Sequence, residues 1–217
     1  YETVEDHLIA HSMHCYFLRA GNADLPIELE VDPIRNGRSF CTRRVVARQN
    51  GEAIFNTSIS YHVVEEGMSH SLDMPVVISP QEAAAKNAAR DTTAPKNMLD
   101  LFGVERERIT ERLPEEQAPV AQSWFRVIGP FEGCVRKQQA ALAMISDFSL
   151  YSTAFSAFPY EQPEKVFIGA SLDHAIWFHD VPDMSDWILY DTYSPWSGGA
   201  RGYNRGSLWS RDGKLIA

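Results

Sequence analysis

Apolar and polar positions alternate strictly over residues 27–31 (Ile-Glu-Leu-Glu-Val), the period of two that a strand shows when one of its faces is buried. Upstream, residues 11–20 carry aromatic and apolar side chains as far as Gly21-Asn22 and predict another strand. Asn36-Gly37 marks a turn, and strand-like runs over 39–48 and 53–64 flank Asn50-Gly51. That dipeptide between two such runs predicts a hairpin, because a type I′ turn needs positive φ at both central positions. The first third of the chain is therefore expected to be an antiparallel sheet.

From about residue 73 the pattern changes. Pro75, Pro80, Pro95, Pro114 and Pro119 punctuate a polar stretch that leans toward helix. Ser79-Pro80-Gln81-Glu82 places Ser at N-cap, Pro at N1 and Glu at N3, a capping box that predicts an Ala-rich helix ending near Arg90. Residues 97–112, with Glu105-Arg106-Glu107-Arg108, predict a second helix, charged and solvated. Beyond this linker come a strand over 124–128 and a helix over 135–150. The middle of that helix, Ala140 to Ile145, is apolar nearly all round, which predicts burial. Further strands are expected over 165–170, 172–179, 187–193 and 202–210, and a last one begins after Asp212-Gly213.

Aligned on their turns, Arg43 falls on Arg205, Asn50-Gly51 on Asp212-Gly213, and Ile54 on Ile216. Duplication of a sheet unit is the reading this favours. The expected organisation is α+β, with an N-terminal sheet unit over 1–72, a linker over 73–119 and a second unit over 120–217. A sheet with one apolar face must cover it. The second unit carries a helix for that purpose, so a helix belonging before Tyr1 is expected for the first. The last strand is expected to continue past Ala217.

Composition narrows the function. Among 217 residues, 44% are apolar and 23% charged, which excludes disordered, collagen-like and coiled-coil chains. Lys and Arg number 20 against 29 Asp and Glu, a formal charge of −9 that argues against a general nucleic-acid coat. A local Arg cluster can still bind an anion against that field. Cys15, Cys41 and Cys134 are odd in number and widely spaced, as expected of free thiols, and no metal-ligand spacing is present. No apolar run reaches the ~20 residues of a membrane helix.

His11-Ser12-Met13-His14-Cys15-Tyr16-Phe17-Leu18-Arg19-Ala20-Gly21 and Arg35-Asn36-Gly37-Arg38-Ser39-Phe40 with Arg43-Arg44-Val45 closely resemble the type II acyl-CoA thioesterase family. Ser171-Leu172-Asp173-His174-Ala175-Ile176-Trp177-Phe178-His179 and Ser194-Pro195-Trp196-Ser197-Gly198-Gly199-Ala200-Arg201-Gly202 resemble its second half. The resemblance implies a double hot-dog fold, in which each curled antiparallel sheet wraps a long helix. It also implies hydrolysis of acyl-CoA to fatty acid and CoA. The family's water-positioning trio is an Asp, a Ser or Thr, and a Gln. Residue by residue, the Asp falls on Asp173 and the hydroxyl on Ser194, with Thr192 in reserve. The Gln falls beyond Ala217.

Thioester hydrolysis asks for a base or water-orienter, donors for the oxyanion and an apolar groove. The expected oxyanion donors are amides at the start of the buried helix, near Arg136-Lys137. His11 and His14 are expected to be ordinary sheet histidines, and His174 should face away from Asp173, since strand neighbours alternate. Arg35, Arg38, Arg43, Arg44 and Arg48, with Arg201 and Arg205, serve either as phosphate ligands for CoA or as solvated strand charges. No cofactor is expected, CoA being part of the substrate, and acyl-CoA is the expected partner, with neither nucleic acid nor membrane. A homo-oligomer fits the resemblance, as does the peroxisome, otherwise the cytoplasm. The competing functions are a non-catalytic acyl-CoA-binding hot-dog module and an enoyl-CoA hydratase, whose motif is not found.

Overall fold

A computed structural model describes residues 1–88, 102–109, 119–129, 131, 133–158 and 169–217. The chain divides into two compact units, Tyr1–Ser69 with Gly169–His179, and His70–Ile168 with Asp180–Ala217.

The first unit is one antiparallel sheet. Its strands are β1 (Leu8–Phe17), β2 (Glu28–Asn36), β3 (Phe40–Gln49), β4 (Glu52–Val63) and β7 (Asp173–Trp177), in the order β2-β3-β4-β1-β7. Asn50 and Gly51 have φ of 50° and 78°, so the β3–β4 hairpin closes through the expected turn. One face is apolar, and residues 1–4 fold back over one end of it. There Val4, Leu8, Ala10, Cys41 and Tyr61 form a buried cluster, with Tyr1 edge-on to Tyr61 at 5.0 Å. The Tyr1 hydroxyl accepts the Ala10 amide at 2.9 Å. Leu29 and Ile34, on β2, stay exposed.

The strand β7 lies within residues 120–217, yet it pairs with β1 in register Tyr16↔Asp173 to Ser12↔Trp177. The first sheet thus takes its last strand from far along the chain, which sequence periodicity alone does not reveal.

The second unit holds α1 (Pro80–Ala88), β5 (Val104–Arg108), β6 (Val120–Val127), α2 (Val135–Thr153), β8 (Ile188–Gly198) and β9 (Arg201–Ser210), with sheet order β5-β6-β8-β9. The capping box at Ser79 forms as expected: Glu82 receives the Ser79 amide at 2.8 Å and returns its own amide to the Ser79 hydroxyl at 3.2 Å. The sheet is covered on both faces. On one, Trp124, Leu189 and Trp209 pack with Ala83 of α1, and the Trp124 indole donates to the Ile78 carbonyl at 2.9 Å. On the other, Phe125, Tyr190 and Leu208 are buried, and the Tyr190 hydroxyl donates to the Ser146 carbonyl of α2 at 2.8 Å. From α2, Leu142 and Ile145 are buried; each such side chain contributes about 1.5–3 kcal/mol. Ala140, by contrast, is exposed, so the helix buries one face rather than its whole girth. Gly206 leaves room for the Tyr190 ring, which a Cβ there would strike.

The second helix expected over 97–112 is not present at residues 104–108, which form β5. The reason is legible in hindsight. Glu105 and Glu107 lie on one face, Arg106 and Arg108 on the other, a period of two hidden by the charges being of both signs. The other residues of that span, and the strand expected over 165–168, lie outside the described residues; 169–170 are not strand. After Gly213 (φ 91°), Leu215 makes a single bridge to Trp209. Asp212 is not at positive φ, so the two aligned turns are not the same turn.

Candidate active site

Asp173 opens β7 in the first unit. Along that strand Asp173, Ala175 and Trp177 are exposed while His174 and Ile176 are buried, so His174 does face away from Asp173. The carboxylate shares its face with Tyr16 directly across on β1, and with His14, whose ring stands edge-on to Trp177 at 5.2 Å. Among the described residues the Asp173 carboxylate has no hydrogen bond and no ion pair. His14, weighed from the sequence only as a sheet histidine or a lone base, is exposed, and Tyr16, also exposed, is the neighbour that residue-by-residue reasoning passed over; the signal available was their shared parity on one strand.

Thr192 and Ser194 lie on β8 in the second unit, two residues apart and on one face. Both are buried. Thr192 donates to the Ala121 carbonyl at 2.7 Å and lies 2.9 Å from the Thr153 hydroxyl, so its oxygen is engaged on both sides. Ser194 donates to the Tyr203 carbonyl at 2.8 Å, and its oxygen receives no donor among the described residues. Its amide donates to the Pro119 carbonyl at 2.7 Å. The structure therefore groups the two hydroxyls and assigns Asp173 to the other unit.

The expected oxyanion donors do not lie with these hydroxyls inside the second unit. Arg136 and Lys137 begin α2, whereas Thr153, which meets Thr192, ends it, about 25 Å away at 1.5 Å per residue. At the start of the helix, Cys134 is exposed in extended conformation and its carbonyl takes the Lys137 amide at 2.9 Å. Backbone amides at that terminus, that of Lys137 first, hold the Cys134 thiol below its usual pKa despite slight desolvation, with Lys137 and Arg136 adding to the effect.

The first-unit arginines are largely committed within the fold. Arg43 is buried and makes four hydrogen bonds: Nε to the Thr3 hydroxyl, Nη2 to the Thr3 carbonyl, and Nη1 to the carbonyls of Arg35 and Thr42. Arg44 pairs with Asp32 at 3.1 Å and Arg48 with Glu30 at 3.0 Å. The counterpart Arg205 is exposed, and Arg201 lies 5.9 Å from the Trp196 ring.

A cavity of about 550 Å³ in the second unit is lined by Asp183, Asp186, Trp187, Ile188, Ser210, Arg211 and Asp212. Three carboxylates make it a poor seat for a polyanion. Among the described residues no group of three His, Cys, Asp or Glu side chains is placed to hold a metal ion, and no helix is long and apolar enough to cross a membrane.

Two family models match in chain order: an acyl-CoA thioesterase N-terminal domain over residues 1–62 and an acyl-CoA thioesterase C-terminal domain over residues 80–217. Acyl-coenzyme A thioesterase 8 of Mus musculus is 34% identical over 232 residues, spanning 99% of this chain and 72% of the relative. Acyl-CoA thioesterase 2 of Haemophilus influenzae is 34% identical over 225 residues, 96% of this chain and 77% of its own length. A peroxisomal acyl-coenzyme A thioester hydrolase of Saccharomyces cerevisiae is 25% identical, over 99% of this chain and 78% of that protein. The solved structure of an acyl-CoA thioesterase II from Mycobacterium marinum superposes with a TM-score of 0.82 at 32% identity, covering 99% of this chain and 79% of that one. A protein of unknown function from Alicyclobacillus acidocaldarius, described as having a hot-dog fold, shares the architecture at a TM-score of 0.68 and 19% identity, over 95% and 75% of the two chains.

Proposed function

This chain belongs to the acyl-CoA thioesterase family, with a double hot-dog fold, and on that premise we propose how its residues cleave a thioester. The reaction is acyl-CoA plus water to free acid plus CoA. Asp173 takes a proton from water as the water oxygen adds to the thioester carbonyl. The tetrahedral intermediate collapses by breaking the carbon–sulfur bond, and the departing CoA sulfur carries the proton away. Ser194 is the hydroxyl that positions the water, with Thr192 as the reserve. No cofactor enters, CoA being part of the substrate.

The observation that carries this reading is the exposed Asp173 carboxylate, free of any partner among the described residues, on a face it shares with His14 and Tyr16. Ser194 is preferred over Thr192 because its oxygen still has room to accept a hydrogen bond from water, while Thr192 is engaged on both sides.

The test is thiol release from several acyl-CoAs by the parent chain and by Asp173→Asn. Asparagine keeps the shape and cannot take the proton, so kcat should fall about 10²- to 10⁴-fold while acyl-CoA still binds. Equal turnover in both proteins removes Asp173 from the mechanism. Binding without turnover in the parent chain favours the non-catalytic module. The peroxisome is the compartment this reading favours, supported by the similarity to the peroxisomal hydrolase of Saccharomyces cerevisiae, with the cytoplasm as the alternative. Self-association belongs to the same reading and is checked by sedimentation.

A further inference from the structure

Arg106 lies on β5, at the edge of the second sheet. Its guanidinium lies 5.3 Å from the centroid of the buried Phe125 ring, and its Nε and Nη2 both donate to the Ser123 hydroxyl oxygen at 3.2 Å. Phe125 and Ser123 alternate with Trp124 on β6 and share the α2-facing side with Tyr190. An arginine has five N–H donors in a rigid fork. Two of the five point at one oxygen, and the Nη1 end of the fork meets no acceptor among the described residues.

Among the described residues no carboxylate pairs with the Arg106 guanidinium. Glu105 and Glu107 project from the opposite face of β5, where Glu105 pairs with Arg126 at 2.5 Å and Glu107 accepts from Asn87 at 2.7 Å. Asp147 of α2 acts on the Tyr190 phenol. Arg108, on the same face of β5, repels the Arg106 charge. Burial, with Arg108 adding to it, draws the Arg106 guanidinium down to about 10, so it remains cationic at neutral pH. Ser123 is 3% exposed, and its oxygen accepts from Arg106 while its own proton meets no acceptor among the described residues. A partly desolvated cation and a buried hydroxyl donor thus converge with donor capacity that no acceptor among the described residues takes up.

We propose that Arg106 and Ser123 form a phosphate-binding subsite on the α2-facing edge of the second sheet. The open end of the fork matches two phosphate oxygens, and the Ser123 hydroxyl can reach one of them. Arg43 shows what a well-satisfied buried arginine looks like in this molecule, with four of its five N–H donors on acceptors and every nitrogen engaged. The phosphate comes from the CoA half of the substrate, in which case this inference rests on the thioesterase reading, or from free phosphate in solution.

Inorganic phosphate titrated calorimetrically into the full chain at constant ionic strength tests the subsite without any hydrolysis. The parent chain should bind it; Arg106→Gln should weaken binding about ten- to a hundredfold, and Ser123→Ala by less. Arg106→Lys, which keeps the charge but loses the fork, should fall between. Circular dichroism and urea midpoints of the same variants separate loss of the site from loss of the fold. No heat with the parent chain, or equal affinity in parent and folded Arg106→Gln, overturns the proposal. The source follows from KM measured with an acyl-CoA and with the matching acyl-pantetheine, which has no phosphate. A larger rise for acyl-CoA in Arg106→Gln assigns the phosphate to CoA; equal changes alongside lost phosphate binding assign it to free phosphate.

Discussion

The two sheets handle polar side chains in opposite ways. In the second, closed over by α2 on one face and by α1 with residues 74–78 on the other, the buried hydroxyls of Tyr190, Thr192 and Ser194 each donate to a main-chain carbonyl. In the first, Asp173, His14, Tyr16 and Trp177 stand in solvent on one face. A sheet buried on both sides must satisfy its polar groups internally, because an orphaned one costs about 1–3 kcal/mol. An open face carries no such penalty and can hold a carboxylate ionised and ready for water. Unfilled bonding capacity therefore means different things in the two places. On the first sheet it is ordinary solvation; in the second, where the buried Trp209 indole nitrogen has no partner among the described residues, it marks places such as Arg106, Ser123 and Ser194 where a ligand is proposed.

The strongest way to break this contrast is to truncate a large apolar side chain to alanine in each sheet. Phe125, 0% exposed between the second sheet and α2, should cost about 3–5 kcal/mol as Phe125→Ala. Leu29, 67% exposed on β2, should cost at most about 0.5 kcal/mol as Leu29→Ala. Urea unfolding followed by circular dichroism measures both. Similar losses would show that the first sheet's face is covered in solution.

A finer probe uses the hydroxyl pair at the end of α2. Thr192 already gives its proton to Ala121, so Thr153 must be the donor between the two. Thr192→Val strands the Thr153 proton at 0% exposure and should cost about 1–3 kcal/mol. Thr153→Val leaves Thr192 bonded to Ala121 and should cost about 0.5–1.5 kcal/mol. The double variant should lose less than the sum, since no orphan remains. Full additivity would mean that the two hydroxyls do not bond in solution. Ser58→Ala, on the open face of the first sheet, is the control and should change little.

What could be read from the chain tracks how local each signal is. The Asn50-Gly51 hairpin, the Ser79 capping box and the helix expected over 135–150 depend on neighbours within a few residues, and all three form, the helix running on to Thr153. The strand at 104–108 was missed because alternating charge of mixed sign imitates a solvated helix face. That β7 joins the first sheet is a contact between residues about 160 apart, to which no periodicity points. The same distance in sequence explains the site. Resemblance singled out Asp173, Ser194 and Thr192, but which unit each belongs to, and which hydroxyl has an unengaged oxygen, are facts of packing. Arg106 was invisible for the same reason: its worth lies in Ser123 and Phe125 across the β5–β6 pairing, not in its own neighbours.

The smallest effect expected is a pH dependence in the first sheet, since the buried hydroxyls of Tyr190, Thr192 and Ser194 in the second do not titrate near neutrality. His11 lies 2.8 Å from the Ser60 hydroxyl and edge-on to His62, which itself stacks on Phe40 and pairs with Glu65. Burial first, and then repulsion from His62, hold His11 below its ordinary pKa. The folded state therefore binds its proton less readily than the unfolded chain. Stability from this residue is fully present above the unfolded value of about 6.5 and is lost as the pH falls through it toward the folded one. His11→Asn retains a partner for Ser60 and cannot titrate, so the acid limb of the stability curve between pH 7 and 5 should flatten relative to the parent. Urea midpoints at half-unit steps measure this, and the His11 ring resonance in proton NMR should titrate below the value of about 6.5 for a free histidine side chain. Identical acid limbs, or a His11 resonance titrating at the free value, would mean that His11 is as solvated as the open face around Asp173.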